Sequence, residues 1–227
     1  MSATWAYVSS TMPFLWQGLL MTLLVSGLVV VASLVAGVLS GVGLAYGPWW
    51  LRWPLRALSD ILRGTPLLVL IFSIYYLLPF GLDYLLPWAQ IRLEALPSVV
   101  MALALFKTAH VAEIARGAIG SIPRGQTDAA KAIGLTFPGQ LRYVILPQAV
   151  RRFLPPWLNA VTDAVKGSSL ISLVGIVDLM LAAQQVIGRT YNPLPVYLLA
   201  AAIYFIINYS LSVASRRLEA RYAYIRE

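Results

Sequence analysis

Cysteine is absent from this chain, and histidine occurs once, at His110. The first absence excludes disulfides and thiolate chemistry, and together they leave little from which a metal site could be built. Charge is scarce too. Of 227 residues only 11% are charged, against about 25% in soluble domains. No charged residue precedes Arg52, and 59% of the chain is hydrophobic. So little charge cannot cover a water-facing surface, and the chain reads as a polytopic membrane protein. Paired carboxylates and nucleophile–base spacings are missing, which argues against an enzyme, so no catalytic or metal-binding residue is assigned. The phosphate loop Gly-x4-Gly-Lys-Ser/Thr is missing as well. The net charge of +8 is better explained by basic residues flanking membrane spans than by nucleic-acid binding.

What is present is long apolar runs. The first, Phe14–Tyr46, is too long for a signal-peptide core and lacks a basic stretch before it. At about 1.5 Å per residue it would measure about 50 Å, more than the hydrocarbon thickness of about 30 Å. It must tilt, bend or project. Further spans are expected near Ala57–Leu78, Leu96–Ala118, Pro156–Leu181 and Pro195–Ala214. The fold class is therefore all-α, a polytopic bundle of five transmembrane helices in a single domain over 1–227. Gly37 and Gly41 form a small-xxx-small pair suited to close helix contact. Pro54, Pro79, Pro87, Pro97, Pro155, Pro156, Pro193 and Pro195 are read as marks of span ends and connections.

Basic residues set the orientation. Arg52 and Arg56 follow span one. Arg116, Arg124, Lys131, Arg142, Arg151 and Arg152 lie between spans three and four. Arg216, Arg217, Arg221 and Arg226 close the chain. These twelve face one side, against Arg92 and Arg189 on the other, where Glu94 lies near Arg92. The positive-inside rule then places the N-terminus outside and the C-terminus in the cytoplasm.

The connection over 119–152 is too polar to span and has helical grammar of its own. Gln126–Ile133 are mostly good helix formers, and Gly134 suits a left-handed C′ position. Thr136 can cap a second short helix with Pro138 in its first turn, ended by Leu146 and Pro147. Asp128 is placed near the first helix's N-terminus, where the backbone dipole favours a carboxylate. Ala129 and Ala130 permit close approach of a partner. From these residues alone, a helix lying on lipid headgroups and a helix docking on another protein both remain open.

Ionisable groups within spans are costly and usually face the bundle interior. Lys107, His110 and Glu113 recur every three residues on one broad helix face. Asp163 and Lys166 stand at i and i+3, close enough to pair. These five are the candidates for a substrate path. Each also has a plainer role. Asp163 and Lys166 can neutralise each other, Glu113 can pair with Arg116, and His110 can be a satisfied polar group. Arg63 reads as an interfacial anchor. Lys107, near mid-span with no acid beside it along the chain, calls for a carboxylate from a substrate or another span.

The run Asp128-Ala129-Ala130, three residues, Gly134, nine residues, then Val144-Ile145-Leu146-Pro147 resembles the EAA loop of permease subunits in bacterial ABC importers. That pattern has Glu where Asp128 stands and Ile where Val144 stands. Four more stretches resemble the polar amino acid branch, the histidine/glutamine/glutamate permeases. These are Gly18 with Thr22, Arg63-Gly64-Thr65-Pro66-Leu67-Leu68, Ala112-Glu113-Ile114 with Arg116-Gly117-Ala118-Ile119 and Ser121-Ile122-Pro123-Arg124-Gly125-Gln126, and Lys166-Gly167-Ser168-Ser169-Leu170. The resemblance implies a type I importer permease fold in the bacterial inner membrane. It makes Asp128, Ala129, Ala130, Gly134, Leu146 and Pro147 the coupling element that docks on an ATPase. It also implies two ATPase subunits carrying ATP and Mg, with no cofactor in this chain. A second permease subunit, identical or related, is implied, as is a periplasmic or extracellular amino acid-binding protein. Two departures bear on substrate. Relatives often have a small or uncharged polar residue at Lys107, and an acid at the position of Ala160. Both shifts favour an anionic ligand, so the substrate expected is a polar amino acid with a lean toward acidic ones. The alternative is an ATP-independent secondary transporter or channel, disfavoured by the lack of an inverted second copy.

Overall fold

The structure is a computed structural model and describes residues 2–85, 88 and 94–223. Pro87, Arg92 and Arg226 lie outside the described residues. The described chain is nearly all helix, without strands. The α-helices are α1 (Ser2–Tyr46), α2 (Trp49–Gly64), α3 (Leu67–Phe72), α4 (Leu78–Leu85), α5 (Ala95–Gly120), α6 (Arg124–Ala132), α7 (Phe137–Gln140), α8 (Leu146–Gly167), α9 (Leu179–Thr190) and α10 (Pro193–Ala223). Short π turns join α3 to α4 at Ser73–Leu77 and α7 to α8 at Leu141–Ile145. A 3₁₀ segment, Ser168–Val174, extends α8.

Four stretches are long and apolar enough to cross a membrane: Thr11–Tyr46, Leu67–Leu85, Ala95–Gly120 and Pro193–Ala220. A fifth forms if Phe137–Val174 and Leu179–Thr190, bent by 49° at their junction, make one broken span. Two expected spans are therefore corrected. Residues 57–64 belong to α2, not to a span. Arg52, Arg56, Asp60 and Arg63 recur along that helix, and a helix so charged on one face is interfacial rather than buried in lipid. Thr65 and Pro66 break the chain, and the span begins at Leu67. The fourth span does not start at Pro156. Pro155 and Pro156 lie inside α8, as prolines do in membrane helices where neighbouring groups satisfy the freed carbonyls. Pro54 likewise sits inside α2.

The described residues form two compact units. One comprises the described residues of 2–30, 65–104 and 162–210. Its core gathers Val25, Val29, Ile71, Val99, Leu103 and Ile171, all buried. A second cluster joins Leu15, Leu179, Ala183, Val186 and Val196. These are side chains of α1, α9 and α10, so the short helix α9 is held by apolar burial on both sides. The other unit comprises 31–64, 105–161 and 211–223. Here α1 and α5 pack backbone to backbone. A Cβ added at Gly37 would stand 2.6 Å from Val111 Cβ, and one at Gly41 would stand 2.5 Å from Ala115 Cβ. The Gly37/Gly41 pair is thus the close-contact stripe that its spacing suggests.

Candidate functional site

The polar connection folds as α6, a tight turn, and α7 running into α8. Helix α6 starts at Arg124 behind Pro123, which fixes the extended entry. It stops at Ile133, and Gly134 follows with φ +80°. That left-handed value is the one predicted for a C′ glycine. The turn is closed by Gly134 N–H to Lys131 O at 2.9 Å and Leu135 N–H to Ala130 O at 3.0 Å. Thr136 occupies the N-cap position of α7, with Pro138 in the first turn, but its hydroxyl makes no capping bond. The Gln140 amide instead donates to Leu135 O at 2.7 Å and ties α7 back onto the turn.

Within α6, Ala130 is buried and carries the packing, while Asp128 and Ala129 are exposed. Asp128 is not at the helix N-terminus. Since α6 begins two residues earlier than expected, Asp128 falls in its second turn, and the first turn holds no acid. The charge partner of Asp128 is Lys131 at 3.6 Å, an exposed pair worth little stability. Leu146 and Pro147 do not end the second helix. The chain runs on through them into α8, and the π turn at Leu141–Ile145 lies directly ahead of Pro147. Proline lacks an N–H and crowds the carbonyl four residues back. A wider turn relieves both conflicts without breaking the helix. Ile133, Phe137, Tyr143 and Leu146 leave large apolar surfaces exposed around α6, more than a solvated loop tip requires.

Of the span residues, Lys107, His110 and Glu113 share one unit on α5. Lys107 is buried, with Nζ 5.8 Å from the centre of the Phe106 ring. The Nδ1 of His110 lies 2.9 Å from Phe106 O. Glu113 is bound by Arg116, whose Nε donates to Glu113 Oε2 at 2.9 Å. The structural pairing considered for Glu113 is therefore present. Asp163 and Lys166 belong to the other unit. Their charges meet at 3.9 Å, and both side chains are more than half exposed, so this pair sits on the surface of the chain.

Two features escape the sequence reading. One is a capping cluster. Asp178 is fully buried at the break before α9. Its Oδ1 accepts the Leu181 N–H at 2.9 Å, and Tyr204 donates to its Oδ2 at 3.4 Å. Thr22 of α1 accepts the Leu179 N–H at 3.1 Å. The signal was available: Gly175, three residues, then α9's apolar run behind an Asp is a helix start. The other is a cavity of about 780 Å³ lined by the ends of α1 and α5, by α2 and by the start of α6.

Four to five candidate spans, an almost wholly helical set of described residues and an exposed short helix on the basic connection define a polytopic membrane protein. The family model described as "Binding-protein-dependent transport system inner membrane component" matches residues 33–224. The glutamine transport system permease protein GlnP of Escherichia coli K12 is 34% identical over 221 residues, covering 97% of this chain and 98% of that one. The probable glutamine ABC transporter permease protein GlnP of Bacillus subtilis is 35% identical over 220 residues, covering 95% and 97%. A crystal structure of an amino acid ABC transporter with histidines aligns with TM-score 0.85 at 31% identity, covering 94% of this chain and 96% of that one. The chain belongs to this family of binding-protein-dependent permeases. It is a permease subunit of an amino acid ABC transporter, a transport component rather than a catalytic one.

Proposed function

We propose that this subunit works in the bacterial inner membrane as one half of an ATP-driven importer of polar amino acids, with a lean toward acidic ones. In this reading ATP and Mg are held by two separate ATPase subunits. A second permease, identical or related, completes the translocation pathway, and an external amino acid-binding protein delivers the substrate. Helix α6 with its flanks is the coupling element: Asp128, Ala129, Ala130 and Gly134 form the docking helix, and Leu146 and Pro147 lead into α8. The observation that carries this reading is α6 itself. It is short, closed by a left-handed glycine, and flanked by the exposed apolar side chains of Ile133, Phe137, Tyr143 and Leu146. A rigid element of that kind passes on a partner's movement as a rigid-body displacement.

Substrate class is supported by two relatives whose names specify glutamine. The acidic lean rests on Lys107, a buried ammonium in the middle of α5, and on Ala160, where relatives often carry an acid. Lys107, His110, Glu113, Asp163 and Lys166 are assigned to the path.

Replacement of exposed Ala129 by Arg tests the coupling role without disturbing the buried Ala130 contact. Reconstituted with ATPase and binding protein, the variant should lose transport by roughly tenfold or more, the scale of one damaged hot spot. Unchanged transport, or uptake by the permease alone in liposomes, would overturn the reading in favour of a secondary transporter. Changing Lys107 to Met should weaken uptake of acidic amino acids more than of glutamine; unchanged affinity for every substrate, or an equal loss for both, would remove the lean.

A further inference from the structure

The cavity at the ends of α1 and α5 has a composition that neither spanning nor coupling explains. Four of its lining residues are arginines, Arg52, Arg56, Arg116 and Arg124, and no carboxylate lines it. Glu113 binds Arg116 from beside the cavity, and Arg52 donates to Gly47 O at 3.0 Å. Neither hydrogen bond involves Arg56 or Arg124, although the Glu113 charge also acts on Arg56 through space. Arg124 opens α6, so the positive end of that helix dipole adds to the field.

The other walls are apolar or aromatic. Ile119, Ile122 and Ile145 line it, with Tyr46, Trp49 and Trp53. Trp49 and Trp53 are each more than 70% exposed on α2. An amphipathic helix with a tryptophan face belongs at headgroup level. The cavity is also walled by the last turns of two spanning helices. It therefore opens at the depth of lipid phosphates. Its volume is that of a ligand cleft rather than an ion cradle.

We propose that this cavity is a binding site for an anionic phospholipid, with the phosphate held by Arg56 and Arg124 and the acyl chains lying along the Trp49 and Trp53 rim. Basic pockets between membrane helices select acidic headgroups in this way. A free phosphate would satisfy the guanidiniums and leave the aromatic rim unused. An acidic side chain of a partner protein would do the same, so the lipid accounts for more of the lining.

The test uses the full-length chain in neutral detergent and native mass spectrometry, titrating phosphatidylglycerol against phosphatidylcholine. One phosphatidylglycerol should stay bound in preference to the zwitterionic lipid. The double variant R56Q/R124Q should bind it roughly 25-fold more weakly, from about 1 kcal/mol per surface arginine. R56K/R124K should recover most of the affinity, and R217Q, outside the cavity, should leave it unchanged. An unaltered melting temperature of R56Q/R124Q separates lost binding from lost fold; if that variant unfolds, R56K/R124K and the lipid preference of the unmodified chain still decide. Equal retention of both lipids, or full binding by a folded R56Q/R124Q, would overturn the proposal. So would displacement by inorganic phosphate, which would mark a soluble anion site, or by the assembled ATPase, which would mark a protein interface.

Discussion

The hydroxyl of Thr22 donates to Gly18 O at 3.0 Å and accepts the Leu179 N–H at 3.1 Å. It thus covers one of the four backbone donors that the start of α9 leaves open, and Asp178 covers another. Gly18 lets the two helices meet, because a Cβ there would stand 2.5 Å from Asp178 O. Replacing Thr22 by Val keeps the shape and removes the acceptor. The Leu179 N–H would then be buried and unpaired, at a cost of about 1–3 kcal/mol. The detergent-solubilised Thr22→Val protein should melt several degrees lower than the parent, and Thr22→Ser should stay near it; equal melting of all three would show that the bond contributes nothing. The sequence reading named Gly18 and Thr22 as a pattern and missed the purpose. Nothing along the chain says that position 22 meets position 179, whereas Gly134 could be read locally, since a glycine after a short run of helix formers has a conformational reason to be there.

Element boundaries show where pattern and polarity part company. Helix α5 was legible to within a residue or two because its apolar run is long and its ends are polar. Helix α2 was not, because Leu55, Leu58, Ile61 and Leu62 merge with the apolar run after Pro66 when only average hydropathy is followed. The charges that separate them lie on one face of α2, and that face is visible only once the residues are wound on a helix. Pro147 misled for a similar reason: a proline reads as a stop, but a π turn ahead of it at Leu141–Ile145 lets the helix continue. Gly134 gives the element-scale test. Its φ of +80° is strained for a β-branched residue, at a cost of about 1–2 kcal/mol. Gly134→Val should loosen the C-terminal turn of α6, seen as faster hydrogen exchange at the amides of positions 134 and 135, and should lower ATP-driven uptake. Gly125→Ala, where an added Cβ meets nothing within 4 Å, should do neither. Unchanged exchange in Gly134→Val would show that the turn does not depend on glycine.

At the scale of the whole chain, the question is whether α8 and α9 together cross the membrane. Four unbroken spans alone would leave both termini on one side; counting the bent pair as a fifth separates them. The charge distribution favours separation, since the arginines of the connection before α8 and those of the last helix belong on the same side under the positive-inside rule. The break has the chemistry of a span that is interrupted and then resumed. Gly175, at φ +82°, ends the 3₁₀ segment, and Thr22 and Asp178 pair the Leu179 and Leu181 N–H groups at the start of α9, as a dry environment requires. A segment that merely dipped into the lipid and returned would put Tyr143 and Asn192 on the same face of the membrane. Because the chain contains no cysteine, each position can be marked by a single substitution on an otherwise silent background, and both are exposed. In intact spheroplasts an impermeant maleimide should label Asn192→Cys directly, and Tyr143→Cys only after the membrane is opened. Labelling of both before permeabilisation, or of neither, would place the two ends of the broken helix on one side and reduce the bundle to four spans.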